Sequence, residues 1–218
     1  MKRRIAICLL AAVIAVAFIP ATAFGASKAV KNTTYDQVIK SGKTVYCSAQ
    51  SGIYKVTIKK GKAKKVKTLK AYPNGAEIVM MKKKGKYLYF NEGTGESNWA
   101  LKRMKASNGK SVKTYATSLD GKIYYAIKGK KIYFELMEAK WFGDDDDDIM
   151  VDYEMKLTGK TKKESKKYPK VKEKITNSKK YKVIEVKTGS IVKCYLKTPK
   201  GKMKYLGQCT VNEEESEE

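Results

Sequence analysis

A chain of 218 residues with no histidine has few catalytic chemistries open to it. The missing imidazole removes Ser-His-Asp and Cys-His catalysis, histidine-ligated zinc and the usual near-neutral pH switch. A serine activated by a lysine is the main nucleophilic route left. Ser107-Asn-Gly-Lys110 and Ser190-Ile-Val-Lys193 match Ser-x-x-Lys, and Lys187-Thr-Gly189 matches the Lys-Thr-Gly element that accompanies it in acyl-enzymes. That chemistry needs its serine at a helix start and Lys-Thr-Gly on a distant strand. Here the first match falls on a hairpin turn, and the other two abut in one segment. Two-carboxylate glycoside hydrolysis needs a pair facing across a cleft. Glu135, Glu138, Asp152 and Glu154 supply the groups, but nothing in the sequence aligns them. The expectation is a non-catalytic protein, with a glycosidase as the least favoured reading.

Binding chemistry is better represented. Asp144, Asp145, Asp146, Asp147 and Asp148 form an unbroken acidic run after Trp141-Phe142-Gly143. Hard carboxylate oxygens suit Ca²⁺, but the run lacks the alternate spacing and terminal Glu of an EF-hand loop. A mobile acidic loop, or a partner for the chain's own lysines, is the competing reading. No other cofactor is expected. Trp99 follows the loop 93–98 and Trp141 precedes the acids, so both are candidates for stacking on a sugar. Arg103 is the one arginine beyond the first four residues and the one guanidinium fork available for an oxyanion.

These residues must be carried by β-structure. Alternation is plain in Ile53-Tyr54-Lys55-Val56-Thr57-Ile58-Lys59 and in Ala100-Leu101-Lys102-Arg103-Met104-Lys105. Turn signals recur at Lys60-Gly61-Lys62, Asn108-Gly109-Lys110, Thr158-Gly159-Lys160 and Lys200-Gly201-Lys202, with glycines 42 to 50 residues apart. Tyr-rich runs recur in step: Thr44-Val45-Tyr46-Cys47, Tyr87-Leu88-Tyr89-Phe90, Lys131-Ile132-Tyr133-Phe134 and Tyr181-Lys182-Val183-Ile184. A further turn precedes each: Ser41-Gly42-Lys43, Lys84-Gly85-Lys86, Lys128-Gly129-Lys130 and Asn177-Ser178-Lys179. The second repeat parses as strands 76–82, 86–91, 98–106 and 111–116, the third as 122–127, 131–138, 149–157 and 161–165. Repeats of this length with four short strands are the mark of a β-propeller. The fold class expected is all-β and propeller-like, with about four antiparallel blades of four strands over residues 35–210. A sandwich or open array of sheets is the alternative.

The stretch Tyr87-Leu-Tyr-Phe-Asn91, then Leu101-Lys-Arg-Met104, then Asn108-Gly-Lys110 resembles a family of bacterial secreted domains of unknown function. That family is related to the low-density-lipoprotein-receptor type of propeller. The resemblance implies a binding or sensing module and carries over no catalytic residue. Other repeats depart from the pattern: Glu135 follows Phe134, and Tyr181-Lys-Val-Ile184 lacks paired aromatics.

Residues 1–25 read as a cleaved secretory signal: Lys2, Arg3 and Arg4, an apolar run from Ile5 to Ile19, then small residues before the cut. The run is short for a membrane span. Cys8 lies too early for a lipid-attachment cysteine. Residues 26–34 read as a linker and 211–218 as an acidic disordered tail. Of the three remaining cysteines, Cys194 and Cys209 flank the turn at Pro199-Lys200-Gly201. A two-residue loop would put them on one face, and a three-residue loop with a bulge on opposite faces. Buried free thiols are the preferred reading.

Lysine and arginine total 47 against 22 aspartates and glutamates, for a formal charge of +25. Almost all the positive charge is lysine, which offers mobile point charges rather than forks, so sequence-specific nucleic-acid binding is not expected. For an exported chain the abundant polyanions are cell-envelope polymers. The expectation is an extracellular, wall-associated protein that binds an anionic polymer or polysaccharide. A structural or protein–protein scaffold is the alternative, and a solvated lysine coat with no partner explains the charge equally well.

Overall fold

The computed structural model describes residues 29–30, 38–94, 98–142, 145–166, 169 and 180–212, with only the backbone described at 29–30, 139–142 and 145–148. The expected signal and most of the acidic tail lie outside these residues. Among the described residues there is no helix, and sixteen strands form four antiparallel sheets of four strands. The first sheet is β2 (Val38–Ser41), β3 (Thr44–Ala49), β4 (Gly52–Lys59) and β5 (Lys62–Ala71). The second is β6 (Glu77–Lys84), β7 (Tyr87–Gly93), β8 (Trp99–Lys105) and β9 (Lys113–Ser118). The third is β10 (Tyr125–Lys128), β11 (Lys131–Phe142), β12 (Asp145–Lys156) and β13 (Lys163–Glu164). The fourth joins the two ends of the chain: β1 (Ala29–Val30) pairs with β14 (Lys182–Thr188), followed by β15 (Ile191–Lys197) and β16 (Met203–Thr210). The architecture is the propeller-like, all-β one that the repeat implied. The segment read as a linker supplies a strand, so the fourth sheet takes its first strand from the N-terminal side of the chain.

Stacking explains the Tyr-rich runs. β3 and β7 are buried almost throughout, because each lies in a sheet covered on both faces. Along β7, Leu88 and Phe90 point one way into a cluster with Tyr46 and Ile53 of the first sheet. Tyr89 points the other way, into a cluster with Ile132, Phe134 and Tyr153 of the third. A third cluster packs Val45, Cys47 and Val56 of the first sheet against Val183, Cys194 and Leu196 of the fourth. Each fully buried aromatic or aliphatic side chain there contributes about 2 kcal/mol through burial. Gly42, Gly85 and Gly129 close the opening hairpins of three sheets at φ of +57°, +56° and +58°, which only glycine adopts cheaply.

Polar contacts complement the apolar clusters. The fifth position of each Tyr-rich run is polar, and three of the four bond to the sheet that follows. Ser48 Oγ donates to the Ile78 carbonyl. Asn91, wholly buried, donates to the Ile123 carbonyl and accepts from its N–H. The Glu185 carboxylate accepts from the Gln50 N–H at 2.8 Å, which links the fourth sheet to the first.

Cys47, Cys194 and Cys209 are buried, and no disulfide joins them. Residues 198–202 connect β15 to β16, and a bulge between Cys194 and Tyr195 shifts the register by one. The bulge returns Cys209 to the face of Cys194, diagonal to it. Burial pushes the Cys194 thiol up to about 12 and the Cys209 thiol up to about 11. Thiolate is the reactive form. A chain beginning at Ala26 should therefore resist a thiol-specific chromophore at pH 8 and react at all three cysteines once unfolded in urea. Rapid labelling of the native protein would contradict this packing.

Candidate functional site

Strand β8 carries two of the sequence-selected residues, four positions apart on one face. Trp99 opens the strand. It is not an exposed loop residue: it is 7% exposed and belongs to the cluster between the second and third sheets. Gly93, its cross-strand partner, makes room for it, since a Cβ there would lie 3.0 Å from the indole. Trp99 lines a cleft of about 260 Å³ together with Glu92, Thr94, Asn98, Lys102 and Ser118.

Glu92 is the anchor of this cleft. It is 6% exposed and accepts three charge-assisted or phenolic hydrogen bonds. Lys70 Nζ and Tyr72 OH each reach Oε2 at 2.5 Å, and Lys102 Nζ reaches Oε1 at 2.6 Å. Lys70 and Tyr72 come from the end of the first sheet, so the carboxylate ties two sheets together. Burial alone would raise the Glu92 carboxyl, but the bonds from Lys102, Lys70 and Tyr72 outweigh it and hold the group below the usual carboxylate range. Of the two ammoniums only Lys102 lines the cleft, and Trp99, Ala100 and Leu119 give it an apolar wall beside its hydroxyls and amide. Sequence reading missed Glu92, because its partners lie in another repeat.

Arg103 lies further along β8, its guanidinium 4.1 Å from the Tyr87 ring and 5.9 Å from that of Tyr115. The structure therefore places Trp99 and Arg103 at opposite ends of one strand rather than in one pocket.

The acidic run is not the loop expected. The backbone of Asp145–Asp148 is strand, paired with residues 139–142, and Trp141 pairs with Asp146. Asp144 lies outside the described residues, as do the side chains of Trp141 and of the run. Among the described residues no three acidic or thiol groups assemble to hold a metal.

The carboxylates weighed for hydrolysis gather on the third sheet. Glu135 and Asp152 are direct cross-strand partners, and both are raised by burial, Glu135 also by the charge of Asp152. Glu154 pairs with Lys131 at 2.6 Å and Glu138 with Lys162 at 2.7 Å. Ser107 to Lys110 is a tight turn closed by the Lys105 N–H on the Lys110 carbonyl. Ser190 to Lys193 runs from the β14–β15 turn into β15.

No family model matches this sequence, and no curated protein is significantly similar to it. Among solved structures, one chain of a Saccharomyces cerevisiae assembly, Dbp5 bound to Nup159, Gle1, IP6 and ADP, aligns at 10% identity with a TM-score of 0.37. The match covers 78% of this chain and 46% of that one. A likeness so low carries no inference about function.

Proposed function

We propose that this chain is an exported, non-catalytic binding protein that associates with anionic polymers of the cell envelope. The carrying observation is lysine displayed on exposed strand positions. On β5, Lys62, Lys64, Lys65 and Lys67 are exposed, and on the fourth sheet so are Lys182, Lys187, Lys193 and Lys197. Lysine on edge strands also discourages edge-to-edge pairing, but β15 is an inner strand of its sheet and carries the same pattern. Such a field attracts polyanions, and salt weakens the attraction. The resemblance of the stretch from Tyr87 to Lys110 to the secreted propeller-related family supports this reading, and binding of this kind needs no cofactor.

A protein-interaction scaffold is the second reading. It is favoured by exposed apolar side chains on two sheets: Met137 and Met150 on the third, and Ile191, Met203 and Tyr205 on the fourth.

Co-sedimentation with purified bacterial cell wall at low and high salt separates the two. Pelleting at low salt that disappears at high salt is the expected result. Pelleting that survives high salt would favour a shaped site, and Trp99 would then be the first residue to replace. Failure to pellet at either salt would remove the envelope reading.

A further inference from the structure

Among the described residues, the seam between the second and third sheets gathers positive charge around Arg103. Arg103 lies over Tyr87, which occupies one face of its guanidinium and leaves the donor edge to act in the plane. Its Nε is buried and meets no hydrogen-bond acceptor among the described residues. A buried donor left in that state has an energetic cost and calls for a physical reason. Beside it, Lys113 of β9 crosses the Tyr115 ring at 4.9 Å and donates to the Gly159 carbonyl, using one of its three protons. Tyr115 OH donates to the Leu157 carbonyl at 2.8 Å, which holds the end of β12 against β9. The bond of Lys113 to the Gly159 carbonyl puts it next to the backbone of Lys160. Burial lowers the Lys113 ammonium, and the charges of Arg103 and Lys160 lower it further. Arg103 and Lys113 are thus held together by aromatic rings and a backbone carbonyl, with the charge of Lys160 beside them, at an energetic disadvantage that an oxyanion would reverse.

We propose that Arg103, Lys113 and Lys160 form a site for one phosphate group of the anionic polymer. The inference rests on the polymer-binding reading and narrows it to a phosphodiester chain. A phosphodiester carries two anionic oxygens on a tetrahedral centre, so one can meet the fork of Arg103 while the other turns out of its plane toward the ammoniums, whereas the coplanar oxygens of a carboxylate are both taken by the fork. Lys160 is exposed and Arg103 and Lys113 are half-buried, so the group enters from the rim of the seam.

The test is calorimetric titration of the wild type, Arg103→Lys and Lys160→Gln with poly(glycerol phosphate), with poly(glutamate) of matched charge and with inorganic phosphate, at one low salt concentration. Arg103→Lys keeps the charge and loses the fork. It should weaken binding of the phosphate polymer about tenfold. Lys160→Gln alters only an exposed side chain and should weaken it about threefold. Binding of poly(glutamate) should stay within about twofold for both variants. Equal losses on the two polymers, or no loss on either, would overturn the phosphate site and leave the general polymer reading standing. A wild type that binds neither polymer would remove both. Arg103-dependent binding of inorganic phosphate without binding of the polymer would overturn the assignment in favour of a free oxyanion.

Discussion

Glu92→Gln should lower the unfolding free energy by about 3 kcal/mol, the loss typical when one partner of a buried ion pair is removed. The carboxylate is nearly inaccessible, while the side chains of Lys70 and Lys102 are 31% and 20% exposed. The lysines can turn to water once the charge is gone, so the figure sits at the low end for such pairs. An amide oxygen in place of Oε2 still accepts from Tyr72 and Lys70, but the charge is gone and the amide nitrogen in place of Oε1 faces the Lys102 ammonium donor to donor. The effect has a pH signature. The folded protein holds the Glu92 carboxyl below its unfolded value. Its stabilisation is therefore present above the unfolded carboxylate range and disappears as pH falls through the folded value. Glu185, Glu135 and Asp152 are raised by burial and act in the opposite sense: their contribution is present at low pH and lost as pH rises through their folded values. Urea midpoints should thus differ most between wild type and variant at neutral pH and converge as acid carries the pH below the folded Glu92 value. A gap of the same size at neutral and at acid pH would mean that Glu92 acts by shape and not by charge.

Gly109→Ala should be of similar size for a different reason. Gly109 adopts φ of +76° in the turn after β8, and an added Cβ would collide with the Leu69 carbonyl oxygen of β5. Left-handed backbone costs a non-glycine residue about 1–2 kcal/mol, and overpacking against backbone about 1–3 kcal/mol more. The combined loss is about 3 kcal/mol. Gly85 is the control: it has φ of +56° and nothing within 4 Å of a Cβ. Gly85→Ala carries only the backbone term, about 1 kcal/mol. Equal urea midpoints for the two variants would show that the first sheet does not rest against this turn.

Much of the second and third sheets was readable because their strands alternate and their turns carry glycine. The expected strand 98–106 is β8 at Trp99–Lys105, and 86–91 is β7 at Tyr87–Gly93. What a linear reading could not see was contact between repeats. Gly109 reads as a turn glycine, and nothing local shows that Leu69 lies against it. Glu135 after Phe134 reads as a departure from Asn91, yet the structure makes this position a polar one that bonds to the next sheet in three of the four repeats. Glu92 follows Asn91 without any signal, since its partners Lys70 and Tyr72 belong to another repeat. Aspartate disfavours strands, so the acidic run reads as a loop, and the long β11–β12 hairpin overrides that preference. Arg103 was found by scarcity of its type alone. The Cys194–Cys209 geometry turned on a bulge that no turn signal announces.

The pairing of Ala29 with Val186 also sets a schedule for folding. Hairpins in the first three sheets join neighbours in sequence and can form as soon as each repeat is complete. The fourth sheet has to wait, because its first strand lies near one end of the chain and its partners near the other. Closing a loop of that length adds an entropic penalty that rises only slowly with chain length, but contacts so distant in sequence are the ones that slow a folding reaction. The last event should therefore be the docking of β1 on β14, late and rate-limiting. A chain cut before Lys182 would keep three sheets and lose the step that joins its ends.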